Sequence, residues 1–244
     1  VASANCALYC GAQVDFVDIE PDTGNMSAQA LADKLAIAKH QGTLPKVVIP
    51  VHFAGLPCDM QAIHALAKEY GFRIIEDACH ALGARYHDEP TGNGHYSDIT
   101  VFSFHPVKII TTGEGGMAMT NDPALAKTMR LLRSHGITRE AEDFIHEPDG
   151  PWYYEQQLLG FNYRMTDIQA ALGLSQMDRL DEFLAKRREI AAYYQAELPR
   201  PGLDVLANRA DRLSAWHLFV IKVPAERRKN LFNAMRSEGI GVNV

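Results

Sequence analysis

Long apolar runs are missing from this 244-residue chain. No uninterrupted stretch approaches the roughly 20 residues a membrane-spanning helix needs, and no charged-then-apolar signal segment opens the chain. Cysteine is scarce: Cys6, Cys10, Cys58 and Cys79 form no C-x-x-C pair. Two of them lie in apolar stretches, where a reduced thiol packs as a small hydrophobe, which suits a cytoplasmic setting. An excess of positive charge is also missing. The 24 Lys and Arg stand against 30 Asp and Glu, giving a net charge of -6, so no positive field gathers nucleic acid or a phospholipid surface. The basic runs Lys186-Arg187-Arg188 and Arg227-Arg228-Lys229 fall inside helical patterns and read as solvated helix faces. There is no Walker loop, no G-x-G-x-x-G after a strand, no H-E-x-x-H, no internal repeat and no low-complexity stretch. Nucleotide hydrolysis, hydride transfer and zinc-dependent hydrolysis lose support accordingly.

What is present is an alternation of short Val- and Ile-rich runs with helix-period segments, the pattern of an α/β protein with a mostly parallel sheet and helices on both faces. The strands expected are Val14 to Ile19, Lys46 to Val51, Phe72 to Glu76, Ile99 to Ser103 and Gly116 to Thr120. Ser27, Asp59 and Asp122-Pro123 read as helix starts, with the first helix reaching His40 and the others stopping before Gly71 and at Gly136. From Thr166 the stripe Ile168, Leu172, Met177, Leu180 and Leu184 predicts one long helix ending near Pro199. A Pro199-Arg200-Pro201-Gly202 linker follows, then a strand from Trp216 to Val223 and a helix from about Ala225 to Glu238, stopped by Gly239. The expected organisation is a large domain over 1–165, a connecting helix over 166–198 and a small truncated α/β lobe over 199–244. The chain opens at Val1 in a strand-like pattern and stops in Ile240-Gly241-Val242-Asn243-Val244, so it reads as an internal piece of a longer protein.

The chemistry concentrates between Ile74 and Thr120. Arg73-Ile74-Ile75-Glu76-Asp77 is a strand that delivers acids at its carboxyl end, the edge where open α/β sheets bind ligands. Asp77 alone reads equally as a cap of the next helix. Thr100 to Lys108 sets a strand end, the Ser103 hydroxyl and a lysine within a few residues, with a bend at Pro106. Lys108 beside a buried strand edge is a candidate nucleophilic amine; standing alone it reads as a snorkelling surface lysine. Gly113-Glu114-Gly115-Gly116 follows at once and permits a tight turn beside it.

Glu76-Asp77-Ala78-Cys79-His80-Ala81-Leu82-Gly83-Ala84, Ser103 to Lys108 and Gly113-Glu114-Gly115-Gly116 resemble the core signature of the DegT/DnrJ/EryC1/StrS sugar aminotransferases. Pro50 to Gly55, Leu159 to Ala171 and Trp216 to Val220 fall in the family's order too, so the likeness covers nearly the whole chain. It implies the fold type I of pyridoxal-phosphate-dependent transferases, aspartate aminotransferase-like, with pyridoxal 5'-phosphate as cofactor. Lys108 would carry that cofactor and move the proton during transfer. Asp77 would pair with the ring nitrogen, His80 (often Gln in relatives) would meet the phenolic oxygen, and Ser103 would offer its hydroxyl to the phosphate. Asn162 would reach the same phosphate from a neighbouring subunit, which implies a homodimer with a shared site. Ser103 and Asn162 would also border the substrate, and Arg164 would meet an anionic group of donor or nucleotide sugar or pair with a nearby acid.

Ser134 to Thr138, Pro151 to Gln157 and Ile240 to Val244 most resemble a branch that acts in pseudaminic acid synthesis. That resemblance implies transfer of the amino group of L-glutamate to C4 of a UDP-linked 4-keto-6-deoxy-N-acetylhexosamine. In the family, a Gly-Thr phosphate segment and a ring-stacking aromatic precede the position of Val1, and a His-Tyr segment follows that of Val244. Three rivals stay open: a C3 aminotransferase or a dehydratase relative, a ligand-sensing relative without turnover, and a metal enzyme using His52, Asp77, His80 and His105. Lys108 argues against the dehydratase, in which histidine replaces it, and Lys108 with Asp77 argues against the sensor.

Overall fold

The computed structural model describes residues 1–198 and 201–244; Pro199 and Arg200 of the expected linker lie outside the described residues. The chain opens with helix α1 (Ala2–Tyr9), where a strand-like pattern was expected. Val14 to Ile19 is not a strand either; its only sheet-like contact is a bridge from Ile19 to Met26. A hydrophobic run reads as a strand only when a partner takes its backbone groups, and here none of the described residues does so along its length.

Helix α2 (Ala28–Gln41) starts where Ser27 accepts from the Ala30 N–H at 3.1 Å, and stops at Gly42 in the left-handed region. Strand β1 (Val47–Val48) leads to a short 3-10 turn (Phe53–Gly55). Helix α3 (Met60–Tyr70) is capped by Asp59 and stopped by Gly71, and β2 (Arg73–Asp77) follows. A hairpin, β3 (Arg85–Tyr86) and β4 (Glu89–Pro90), leads to β5 (Ile99–Ser103) and β6 (Gly116–Met119). The central sheet has the order β1-β2-β5-β6, with β1, β2 and β5 parallel and β6 antiparallel to β5. The strand from Ile99 to Ser103 stands at the expected boundaries, whereas the one over Lys46 to Val51 shrinks to Val47–Val48 and an isolated parallel bridge from Val51 to Asp77.

Leu31 and Leu35 of α2, Val48, Met60 and Ile63 of α3, and Phe72 and Ile74 form one buried cluster; Ala78, Ala81, Ala84, Phe102, Phe104, Ile109, Ile110, Leu184 and Ala215 form a second. Inside the sheet His52 is fully buried. The Cys58 N–H donates to its Nδ1 at 3.1 Å, which leaves Nε2–H to donate to Glu76 at 3.0 Å. Burial would raise the Glu76 carboxyl, but hydrogen bonding, from His52 first, holds it below its ordinary value.

Helix α4 (Pro123–Leu132) is capped by Asp122, and β7 (Ile137–Thr138) pairs with β8 (Glu155–Gln156). The single long helix expected from Thr166 is two helices, α5 (Asp167–Met177) and α6 (Leu180–Glu197), broken at Asp178 and Arg179. Thr166 and Gln169 close a reciprocal capping box at the start of α5. Strands β9 (Asp204–Val205), β10 (Arg212–Leu213) and β11 (Ile221–Lys222) precede helix α7 (Ala225–Ser237). β10 pairs with β3, and β11 with β9. The expected strand over Trp216 to Val223 is confined to Ile221 and Lys222, because its first residues dock on another part of the molecule.

Candidate functional site

Strands β2 and β5 run side by side, with Asp77 opposite Val101, and they end where Asp77 and Ser103 stand. The Asp77 carboxylate is half-buried. Its Oδ1 accepts the Cys79 N–H at 3.1 Å, and its Oδ2 accepts the Ser3 hydroxyl of α1 at 2.8 Å. Burial alone would raise this carboxyl; the hydrogen bonds from Cys79 and Ser3 and the nearness of His80 more than offset it and hold Asp77 below its ordinary value. Asp77 is thus an ionised acceptor at the sheet edge.

Beyond β5 the chain makes a closed excursion. The Phe104 N–H donates to the Gly115 carbonyl at 2.8 Å, and the Phe104 carbonyl accepts the Thr112 N–H at 3.0 Å. Ile109 and Ile110 are buried beneath it. The excursion returns through Gly116, where a Cβ would lie 2.8 Å from the Phe102 carbonyl oxygen, so no larger residue fits without displacing the strand pair. Lys108 rides on this loop, its N–H donating to His105 at 3.0 Å, and its side chain is half-buried. The Ser103 hydroxyl is half-buried and accepts the His105 N–H at 3.3 Å.

The charges show that these pieces converge. Burial, and then the Lys108 charge, hold the His80 imidazole below its ordinary proton affinity, while Asp77 opposes the shift. Burial and the Asp77 hydrogen bond push the Cys79 thiol up to about 12, so it is no nucleophile despite the nearby Lys108. The His80 Nδ1 is buried and has no hydrogen-bond partner among the described residues. A buried polar atom without a partner is costly, and the His80 ring that carries it feels the charges of the Asp77 carboxylate and Lys108, while the Ser103 hydroxyl stands at the end of the neighbouring strand. That donor set suits pyridoxal phosphate: an anion for a protonated ring nitrogen, an imidazole for the phenolic oxygen, a hydroxyl for the phosphate and an amine for the aldehyde.

Asn162 and Arg164 make no side-chain hydrogen bond to this group among the described residues, although Met165 and Gln169 beside them reach the Gly113–Gly116 loop. Both are exposed, and Asn162 forms a backbone bridge with Ser134. They lie in a strongly apolar exposed surface with Leu159 (87 % exposed), Tyr163 and Ile168 (84 %).

Two residues at the site escape the sequence reading. Ser3 reaches Asp77 across 74 positions, and nothing in the local sequence around it signals the contact. His217 is the other: its ring lies 4.4 Å from that of His80, centroid to centroid. The segment carrying it is held by the Ala215 N–H donating to Gly55 at 3.0 Å and the Leu218 N–H to Ala54 at 3.2 Å. Arg187 of α6 donates to the carbonyls of Trp216 and His217. Ala54 and Trp216 both have positive φ, which surrounding structure must hold in place at about 1–3 kcal/mol each. Gly55 sits at φ 105°, and a Cβ there would stand 2.8 Å from Trp216 N and 3.0 Å from both His217 N and the His80 carbonyl. Gly55→Ala is therefore expected to destabilise the protein by roughly 2–4 kcal/mol, combining backbone strain with overpacking. At about 2–4 °C per kcal/mol this is a drop in melting temperature of roughly 5–15 °C. An unchanged melting curve would show that the 54–55 and 214–218 segments do not lie this close.

The model of the DegT/DnrJ/EryC1/StrS aminotransferase family matches residues 1–244. The UDP-4-amino-4,6-dideoxy-N-acetyl-beta-L-altrosamine transaminase of Campylobacter jejuni (serotype O:2) is 38% identical over 100% of this chain and 62% of its own length. The GDP-perosamine synthase of Caulobacter vibrioides is 42% identical over 90% of this chain and 54% of its own. A Streptococcus pneumoniae protein described as a sugar aminotransferase, solved in its PLP-form, superposes with a TM-score of 0.82 at 29% identity, over 100% of this chain and 64% of that one. The architecture is thus the type I fold of these aminotransferases, as the motifs implied. The chain spans about 62% of the length of curated relatives it matches.

Proposed function

The chain belongs to the DegT/DnrJ/EryC1/StrS aminotransferase family, and on that premise we propose that it is the greater part of a pyridoxal-phosphate-dependent nucleotide-sugar aminotransferase. Its reaction moves the amino group of L-glutamate to C4 of a UDP-linked 4-keto-6-deoxy-N-acetylhexosamine in pseudaminic acid biosynthesis. What supports the reading is that Asp77, His80 and Lys108 act on one another electrostatically at the end of β2, with Ser103 at the end of the adjoining β5. The choice of sugar is supported by the 38% identity to the Campylobacter transaminase. The perosamine synthase at 42% supports a second reading, in which the sugar is GDP-linked.

When bound, the cofactor supplies an electron-accepting ring and an aldehyde carbon that links to amines. Asp77, kept ionised by Ser3 and Cys79, holds the proton on the ring nitrogen. His80, whose buried Nδ1 has no partner among the described residues, would meet the phenolic oxygen, and Ser103 would offer its hydroxyl to the phosphate. Lys108 anchors the cofactor and then, as a free amine, carries the proton to and from the reacting carbon. Buried Ile109 and Ile110 fix the loop that aims it. Asn162 enters the site of a second subunit, and the exposed apolar side chains around it are covered in that homodimer. Arg164 faces an anionic group of donor or nucleotide sugar. No helix of the described residues is long and apolar enough to cross a membrane, and we place the enzyme in the cytoplasm.

The test is amination by the full-length protein with L-glutamate and a panel of UDP- and GDP-linked 4-keto sugars. The UDP-linked N-acetylhexosamine is expected to be aminated at C4 with the highest kcat/KM. A preference for a GDP-linked sugar would move the assignment to the second reading, and amination at C3 would overturn the regiochemistry.

A further inference from the structure

The His217 side chain plays no part in the chemistry just described, yet it is nearly fully buried and faces the site. Its ring packs on that of His80 at 4.4 Å between centroids and 40° between planes, too oblique for a hydrogen bond between the rings to be its purpose. The Nδ1 atoms of both rings are buried without a hydrogen-bond partner among the described residues. The contact is also constructed with care. Gly55, Ala54 and Arg187 each bond the backbone of the 215–218 segment, the Trp216 N–H donates to Ser214 Oγ at 3.0 Å, and Trp216 adopts a left-handed conformation that presents the next residue inward. Three separate parts of the chain are thus spent on placing one imidazole against another.

We propose that His217 is a positioning residue that acts through His80, fixing the plane of the His80 imidazole where it would meet the cofactor ring. This rests on the cofactor reading of the site given above. A half-turn of a histidine about its last torsion puts Cδ2 where Nδ1 stood and Cε1 where Nε2 stood, and a ring packed at this distance opposes that motion. The charged groups acting on the pair are Asp77, Lys108 and Arg187. Burial first, and then His80, Lys108 and Arg187, hold His217 down to about 3, so it stays neutral throughout the working range and adds no charge against Lys108. His80, also kept from protonating, retains one nitrogen as acceptor and one as donor. The role predicts a link between the 214–218 segment and the cofactor that is independent of catalysis.

The experiment uses full-length, cofactor-loaded protein and compares wild type, His217→Ala, His217→Phe, His80→Ala and the double variant His80→Ala/His217→Ala. Two quantities are read without substrate: retention of cofactor during dialysis, and the pH midpoint of the cofactor's visible absorbance. His217→Ala is expected to lose cofactor about tenfold faster, the size typical of coupling between touching residues, and to shift the midpoint as water reaches His80. His217→Phe keeps a ring in place and is expected to restore retention. In the His80→Ala background the His217→Ala change is expected to add little. His217→Ala behaving as wild type in both readouts overturns the proposal, and so does a full His217→Ala effect that persists without His80. Should His217→Ala fail to fold, His217→Phe decides: loss of retention in a folded His217→Phe protein overturns the positioning role. Wild-type protein that takes up no cofactor overturns the cofactor reading itself, a result distinct from the others.

Discussion

Replacing Lys108 by Ala is expected to abolish amination in the full-length enzyme and to remove the visible absorbance band that borohydride bleaches in the wild type. The expected loss is at least about 10²- to 10⁴-fold, the share that a positioned acid–base group contributes, and it grows further because the covalent anchor goes with the same side chain. The substitution is mild for the fold. Lys108 is half-buried on a loop whose closure depends on the backbone of Phe104, Thr112 and Gly115 and on buried Ile109 and Ile110, none of which changes. Melting temperature should therefore stay near that of wild type while activity vanishes. Turnover that survives in Lys108→Ala would falsify the assigned mechanism, and added small amines that partly restore it would support the role of Nζ as proton carrier.

Lys108 also shows how legible this molecule is from sequence. Its loop announced itself through local chemistry: a strand end, a proline, a lysine and a run of glycines, each acting on its neighbours. The helix starts at Ser27, Asp59, Asp122 and Thr166 were readable for the same reason, because a side-chain oxygen capping an N–H two or three residues on is a short-range event. Val14 to Ile19 and Trp216 to Val223 misled because their apolar alternation is compatible with strand pairing and does not compel it. In the second case the 214–218 segment spends its N–H groups on Ala54 and Gly55 instead, at the cost of a left-handed tryptophan. The break between α5 and α6 was hidden because the apolar stripe continues through Asp178 and Arg179 in projection. Ser3 and His217 were out of reach of spacing arguments, since each meets its partner only after the sheet has brought distant segments together.

Asp77→Asn is the second variant with a large expected effect, and it separates charge from shape. Asparagine keeps the size of aspartate: its Oδ1 can accept the Cys79 N–H, and its amide can donate to the Ser3 oxygen, so both native contacts have a replacement. What disappears is the negative charge that keeps the ring nitrogen protonated. Breaking a buried, hydrogen-bonded charge pair by neutralising one side costs about 3–5 kcal/mol, which corresponds to roughly 10²- to 10⁴-fold in rate. Loss should appear in kcat more than in glutamate KM, because the stabilisation matters most as the ring takes up electrons. The cofactor-free protein supplies an independent check through pH. Asp77 titrates below its ordinary value of 3.8 in the folded state, so its contribution to stability is fully present above that ordinary value and is lost as pH falls through the lower folded one. Wild-type apoprotein should consequently lose stability across that acid window, and Asp77→Asn should lose less of it there while matching wild type in cooperativity of unfolding. If Asp77→Asn keeps full activity, the carboxylate is not the ring-nitrogen partner; if its activity falls only in step with its melting temperature, Asp77 is a structural cap and nothing more.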